Sequence, residues 1–167
     1  MDDRAVVERQ LGRPPRAFRR VVRRCPFGLP AVTEQAAYDC EGEPFPTTYY
    51  LTCRHLVAAV SRIEAAGGVE RWSERVRTDP ELTASLERAT LAQRAVRRAL
   101  AESETRRDDG RSLELGIGGS SSPAKLKCLH AHAAFALARP GYLLGELVLA
   151  ELEPLWPDRC CSRCLFR

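Results

Sequence analysis

The stretch TTYYLT at residues 47–52 marks the point where the spacing of apolar residues changes along this chain. Threonine and tyrosine are enriched in strands, and this stretch has the strongest strand composition in the sequence. Beyond it, from Leu56 to Ile63, apolar residues recur every three or four positions, as they do on one face of a helix. The pattern predicts a strand here, followed by a helix that Thr52 caps and that ends at Gly67.

Further strands and a helix are predicted upstream of this stretch. Residues 3–11 carry apolar residues along one side, and Gly12 supplies a helix stop. Residues 18–24 combine β-branched and charged residues, which indicates a strand. Residues 25–28 hold proline and glycine at the positions that a type I turn prefers, so residues 29–35 are predicted to return as the next strand.

The second half of the chain is predicted to be helical. Asp79 is followed by a proline and an acid, the order typical of a capped helix start, and opens a long helix. Residues 103–122 are polar and then glycine-rich, which indicates a loop. Two more helices are predicted, over 123–138 and 142–153. The sequence thus predicts an α+β fold, in which a small, mostly antiparallel sheet from the N-terminal half packs with four to six helices.

The length and composition are those of an ordinary globular protein. With 167 residues, of which 44% are hydrophobic and 29% are charged, we expect one domain over 1–155 and a cysteine-rich tail over 156–167. No apolar run reaches the roughly 18–20 residues that a membrane-spanning helix needs. The acidic start of the chain lacks the apolar core of an export signal, so a cytoplasmic location is predicted.

Positive charge is concentrated at the N-terminus. Residues 1–24 contain eight arginines and three acids, a net charge of +5, whereas the whole chain carries +4. Such an arm suits an anionic partner, but it lacks the interleaved aromatic residues of a single-strand-binding surface, so nucleic acid is disfavoured without being excluded. A solvated basic face is the simpler interpretation, as it is for the arginines of the long helix, which include Arg88, Arg94, Arg97 and Arg98.

Cysteine and histidine supply the candidate metal ligands. The seven cysteines are an odd, unevenly spread number, which favours reduced thiols in a reducing compartment. Cys128 and His132 are four residues apart, so on a helix they share one face, whereas His130 points elsewhere. Cys25 follows a predicted strand, and Cys53 begins a predicted helix. If these positions converge, they form a Cys₃His set suited to zinc, with an iron–sulfur cluster as the less favoured cofactor; buried structural cysteines are the alternative.

A second interpretation of the same region is an anion site. The glycine- and serine-rich run before the predicted helix at 123–138 offers backbone amides and hydroxyls, and two lysines follow. The run does not match the P-loop pattern, and a flexible linker is the alternative. The predicted anion-binding residues are Gly118, Gly119, Ser120, Lys125 and Lys127.

Four blocks of sequence, in this order, resemble an uncharacterised bacterial family known as the domain of unknown function 501. They are Arg24-Cys25-Pro26-x-Gly28-x-Pro30, Pro44-Phe45-Pro46-Thr47-x-Tyr49-Tyr50-Leu51-Thr52, Gly116-x-Gly118-Gly119 and Lys127-Cys128-Leu129-His130. The resemblance spans about residues 8–140. It implies a small cytoplasmic protein, common in actinobacteria and without an agreed activity. Its members are often encoded near a septum-formation protein and an exopolyphosphatase, which associates the family with cell-division or envelope physiology.

Two hypotheses about function follow. The first is a protein that binds zinc through Cys25, Cys53, Cys128 and a histidine and acts through a protein partner. The second is an enzyme that uses Cys128 as a nucleophile and a nearby histidine as its base on a phosphorylated substrate, although no acid that would orient the base is evident. The tail adds Cys160, Cys161 and Cys164, whose role the sequence leaves open.

Overall fold

The computed structural model describes residues 2–122 and 125–160. Within these residues the chain forms a three-stranded antiparallel sheet and six α-helices, which confirms the predicted α+β fold. The strands are β1 (Phe18–Arg24), β2 (Pro30–Gln35) and β3 (Tyr49–Leu51). The helices are α1 (Asp3–Leu11), α2 (Arg54–Ala65), α3 (Gly68–Thr78), α4 (Pro80–Ala101), α5 (Leu129–Ala138) and α6 (Leu143–Ala150).

The sheet has the order β1-β2-β3, and both neighbouring pairs are antiparallel. Every residue of the central strand β2 is buried. Across the ladder to β3, Glu34 pairs with Tyr49 and Val32 pairs with Leu51. The buried Glu34 carboxylate accepts two hydrogen bonds from Arg20, at 2.9 and 3.1 Å, which compensate its charge. The stretch that begins the helical half therefore forms one edge of the sheet.

The helical half contains one helix, α3, that the sequence analysis did not predict. The predicted cap of α2 by Thr52 is wrong, because the N-cap position is Cys53 and no side chain caps it. Helix α2 ends just before Gly67, as expected, but the left-handed backbone of Gly67 (φ 78°) also leads directly into α3. Glycine adopts this conformation without steric cost, so a helix stop also serves as a helix start. Trp72 and Val76 then bury one side of α3. Asp79 caps α4 as predicted, because its carboxylate accepts the N–H of Glu81 at 2.9 Å.

Helix α5 starts later than predicted. The chain is not helical just before Leu129, and Cys128 is extended, with φ −157° and ψ 150°. The predicted opening residue, Pro123, lies outside the described residues. The described start of α5 is capped from α2, because a Glu64 carboxylate oxygen accepts the N–H of Leu129 at 2.5 Å. Cys128 is therefore not on the helix, and the predicted helix face shared by Cys128 and His132 is wrong.

Helix α5 lies in the core between the sheet, α2 and α6. Small residues allow this close packing: a Cβ atom on Gly145 of α6 would lie 2.6 Å from the carbonyl oxygen of His132. Among the described residues, no single helix is long and apolar enough to cross a bilayer. Helices α5 and α6 meet that test only together, as a pair bent by 109°.

One arginine of the long helix α4 contradicts the prediction of a solvated face. Arg97 is fully buried and donates hydrogen bonds to the carbonyl oxygens of Phe45, at 2.7 Å, and Ser112, at 3.3 Å. Burial lowers the pKa of its guanidinium from the usual value. Arg97 thus links the segment before β3 to the loop that follows α4 through these two hydrogen bonds. Both acceptors are distant from Arg97 in sequence.

Candidate functional site

A mostly apolar cavity of about 410 Å³ lies where α1, β3, α2 and the start of α5 meet. This volume lies within the range of small-molecule sites in proteins. Apolar and aromatic side chains form much of its wall, and Cys128 and His130 contribute a thiol and an imidazole. The apolar and aromatic lining includes Leu11, Tyr49, Tyr50, Leu51, Val57 and Ala131.

The Cys128 thiol sits between this cavity and the glycine-rich run. A Cβ atom on Gly118 would lie 3.6 Å from Cys128 Sγ and 3.2 Å from Ala131 Cβ, and Gly118 also has a left-handed φ of 69°. Glycine is therefore favoured here by its backbone conformation and by the tight approach to Ala131, while the thiol lies at ordinary contact distance. Burial raises the pKa of the Cys128 thiol, and the backbone amides of Ala131 and His130 oppose that rise.

The glycine-rich run also contacts the segment that leads into β3. A Cβ atom on Gly119 would lie only 2.8 Å from Pro46 Cβ, so glycine is required for this approach as well. Three of the four sequence blocks, those around Pro46, Gly118 and Cys128, consequently meet at one place beside the cavity. The sequence alone does not show that these three blocks lie close together in space.

His130 is held at both ring nitrogens. Its Nδ1 lies 3.1 Å from Oε1 of Glu64, and its Nε2 lies 3.2 Å from both Ser61 Oγ and the carbonyl oxygen of Val57. The same Glu64 oxygen caps α5. The sequence did not single out Glu64. Its one recognisable feature is that it lies three residues after Ser61, so that both side chains project from the same face of α2. The imidazole thus connects α5 to α2 through these contacts and also forms part of the cavity wall.

His132, by contrast, does not line the cavity with Cys128. It is buried between α5 and α6, and its Nδ1 lies 2.7 Å from the hydroxyl oxygen of Tyr142. Burial lowers the pKa of its imidazole to about 4. Its Nε2 has no hydrogen-bond partner within the described residues. His132 is also one of the residues that line a separate space of about 20 Å³. That space is large enough for one water molecule.

The remaining predicted ligands lie in or against the main core. Cys53 is buried in it at the start of α2, and Cys25 packs both against it and against Val6 and Leu29, where Cys160 also packs. Within residues 2–122 and 125–160, no group of three or more His, Cys, Asp or Glu side chains is arranged to hold a metal ion. Two tail cysteines, at positions 161 and 164, lie outside those ranges. Zinc binding stays a prediction.

The predicted anion-binding loop is hydrogen-bonded within itself. Ser120 Oγ donates to backbone oxygens within the loop, one of them that of Lys125 at 2.9 Å. The N–H of Gly119 donates to Gly116 at 3.0 Å. Gly118 faces Cys128 and Ala131, as described above, and Lys127 lies beside Gly119. An anion would have to displace these bonds, so anion binding by Gly118, Gly119, Ser120, Lys125 and Lys127 also stays a prediction.

Helix α1 closes one side of the cavity. Arg54 holds the end of this helix by donating to the carbonyl oxygens of Gln10, at 3.1 Å, and Arg9, at 2.6 Å, where the helix dipole favours a cation. The Gln10 amide nitrogen donates to Pro30 at 2.8 Å. Two buried oxygens of wall residues, Gln10 Oε1 and Thr52 Oγ1, have no partner within the described residues. Buried polar atoms are normally paired, so these two oxygens are exceptions in the packing beside the cavity.

The fold and the site together define a class: a small α+β protein with a ligand-sized apolar cavity that has a thiol and an imidazole in its wall. The chain belongs to the family described as "Protein of unknown function (DUF501)", whose model matches residues 21–150. Comparisons with curated proteins and with solved structures gave no match. The family segment runs from within β1 to the end of α6, so α1 and the cysteine-rich tail lie outside it.

Proposed function

We propose that this protein binds a small, largely apolar molecule in the cavity bordered by α1, β3, α2 and α5. The observation that carries the proposal is a cavity of about 410 Å³ lined by two separated sequence blocks, with the glycine-rich block packed beside them. Cavities of this size with apolar walls and a few polar groups are the usual form of small-molecule sites. Removing apolar ligand surface from water supplies the affinity, and the polar wall atoms orient the ligand.

Binding is better supported than catalysis because the two reactive side chains are not arranged as a working pair. Burial raises the pKa of the Cys128 thiol, which lowers its thiolate fraction near neutral pH. Both nitrogens of His130 already have partners, namely Glu64 on one side and Ser61 with Val57 on the other. The imidazole therefore serves as a fixed wall group.

The experiment is a titration with a fluorescent probe that has an aromatic body and an anionic sulfonate, 1-anilinonaphthalene-8-sulfonate, followed by displacement with a neutral alcohol, decanol. Val57 lines the cavity, whereas its neighbour Ala58 is exposed on the same helix. We expect Val57→Phe to fill the cavity and weaken both ligands by about tenfold or more, while Ala58→Phe leaves them unchanged. Equal effects of the two substitutions, or no saturable binding by the wild-type protein, would contradict the proposal. Thermal melting of both variants checks that they are folded.

One observation favours a second candidate function, a Cys/His-dependent enzyme. Glu64 is the acid that the sequence did not reveal, and its contact with Nδ1 of His130 is the contact that orients a catalytic histidine. In this candidate, ligand entry frees His130 Nε2 from Ser61 and Val57 so that it accepts the thiol proton of Cys128. Sγ then bonds to the substrate phosphorus while the P–O bond to the leaving group breaks, His130 returns the proton to that oxygen, and water hydrolyses the phosphocysteine. Hydrolysis of p-nitrophenyl phosphate that Cys128→Ala and Glu64→Gln both abolish, with melting temperature retained after Cys128→Ala, would support it. No turnover by the wild-type protein on this substrate would count against it.

Zinc binding by Cys25, Cys53 and Cys128 with His130 or His132 is a separate prediction with its own test. Elemental analysis of protein purified without a histidine tag checks for stoichiometric zinc, and for iron as the less favoured cofactor. We also propose, from the family resemblance, a protein partner in cell-division or envelope physiology and a cytoplasmic location. Pull-down from native cells and cell fractionation test these two points.

A further inference from the structure

We infer that the ligand of this cavity carries an acidic group, which Arg13 and Arg16 bind at the cavity's edge. This inference rests on the proposed function, because it assigns the chemical class of the molecule that the cavity would hold. The class is an amphiphile: an apolar body inside the cavity and an anionic end on the two arginines.

The first step is the continuity between the cavity and the arginines. A small cleft of about 10 Å³ adjoins the cavity, and Leu11 and Tyr50 line both spaces. Arg13 and Arg16 line this cleft, in the segment that joins α1 to β1. A molecule that extends from the cavity past Leu11 and Tyr50 would thus enter the cleft that Arg13 and Arg16 line.

The second step is that these two arginines are available. Within the described residues, neither Arg13 nor Arg16 takes part in an ion pair or a hydrogen bond of its side chain, and both are exposed. The arginines of the adjoining strand differ in this respect. Arg20 pairs with Glu34 at 2.9 Å, and Arg24 pairs with Asp3 at 2.7 Å.

The third step is the charge and geometry of the site. A guanidinium group binds carboxylate or phosphate oxygens through two parallel N–H donors, and two such groups favour an anion over a neutral polar group. The net charge of +5 over residues 1–24 adds a longer-range attraction for anions. The cavity itself is mostly apolar, so the charged end of the ligand stays at its edge, where water solvates it.

The test compares three probes of equal chain length by calorimetric titration of the full chain: decanoate, decyl phosphate and decanol. We expect both acidic probes to bind more tightly than decanol, and their affinity to fall as sodium chloride is raised. Decyl phosphate binding better than decanoate would indicate a phosphorylated ligand, and the reverse order a carboxylate. Either order is consistent with the inference.

The matched variants are Arg13→Gln/Arg16→Gln and, as control, Arg88→Gln, which removes an exposed arginine of α4 that does not line the cavity. We expect the double variant to weaken both acidic probes by about three- to tenfold and to leave decanol unchanged. Arg88→Gln should leave all three unchanged. If decanol binds as tightly as the acidic probes, or if the double variant weakens all three equally, the inference is wrong while the proposed cavity function stands. If none of the probes binds, the proposed function fails and the inference with it.

Discussion

Glu64 Oε1 lies 3.1 Å from Nδ1 of His130 and also accepts the N–H of Leu129, so a single carboxylate of α2 sets both where α5 begins and how its histidine is oriented. The cavity wall therefore depends on a residue that does not itself line the cavity. A substitution of Glu64 should therefore affect both the stability of α5 and the orientation of His130 in the cavity wall.

Replacing Glu64 tests that relationship. We expect Glu64→Gln to lower the free energy of unfolding by about 1–2 kcal/mol, because a charged cap at a helix N-terminus is lost. Denaturant unfolding measures this change. The matched control is Glu87→Gln, which alters an exposed carboxylate in the middle of α4 and should change stability by less than about 0.5 kcal/mol. Equal stabilities of the two variants would show that the Glu64 contacts contribute nothing to stability.

The glycine beside the thiol gives a second prediction. Gly118 and Gly67 both have left-handed backbones, but a Cβ atom on Gly67 would meet nothing within 4 Å, whereas one on Gly118 would lie only 3.2 Å from Ala131 Cβ. Both alanine substitutions should destabilise the protein by about 1 kcal/mol through backbone strain. We expect Gly118→Ala to cost about 1 kcal/mol more because of crowding, and to shift ligand affinity. Identical unfolding midpoints would argue against close packing of Gly118 against Ala131.

The buried guanidinium of Arg97 gives a third prediction. Arg97→Met keeps most of the side-chain volume but leaves the carbonyl oxygens of Phe45 and Ser112 without their donor. We expect a loss of about 2–4 kcal/mol in the free energy of unfolding, since hydrogen bonds to charged groups are stronger than neutral ones. Arg88→Met, at an exposed position of the same helix, should have little effect. A small effect at both positions would mean that Arg97 is solvated, as the sequence had indicated.

Acid should destabilise the protein through His132. Burial lowers the pKa of this imidazole from about 6.5 to about 4, so the unfolded chain binds a proton at a pH where the folded protein does not. Stability is therefore retained above about pH 6.5 and lost as the pH falls toward 4, by up to about 3 kcal/mol from this group. The free energy of unfolding, measured across this pH range, should vary less with pH in His132→Gln than in the wild type. His55→Gln serves as control and should keep the wild-type pH dependence.

Thiol reactivity separates binding from nucleophilic catalysis. Because burial raises the pKa of Cys128, we expect iodoacetamide at neutral pH to alkylate it more slowly than the exposed Cys40. Peptide mass spectrometry over a time course gives both rates in one sample. If Cys128 reacts faster than Cys40, the thiol is activated and the enzyme hypothesis gains support.

Local patterns predicted the elements whose determinants are local. The TTYYLT stretch forms β3 and leads into α2, and Asp79 caps α4, because strand composition and capping act over a few residues. The start of α5 could not be predicted in this way, since its cap, Glu64, is 65 residues away along the chain. The burial of Arg97 likewise depends on carbonyl groups from two distant segments. Cys128 and His130 stood out in the sequence, but only the fold shows that they line one cavity and that His132 does not.

Helix α1 lies ahead of the segment that the family model matches, yet Gln10 and Leu11 belong to the lining and Arg54 fastens the helix in place. One wall of the cavity thus comes from outside the segment that the family model matches, and the other walls come from within it. If the cavity holds a ligand, the identity of the residues at positions 10 and 11 contributes to the shape that it must have.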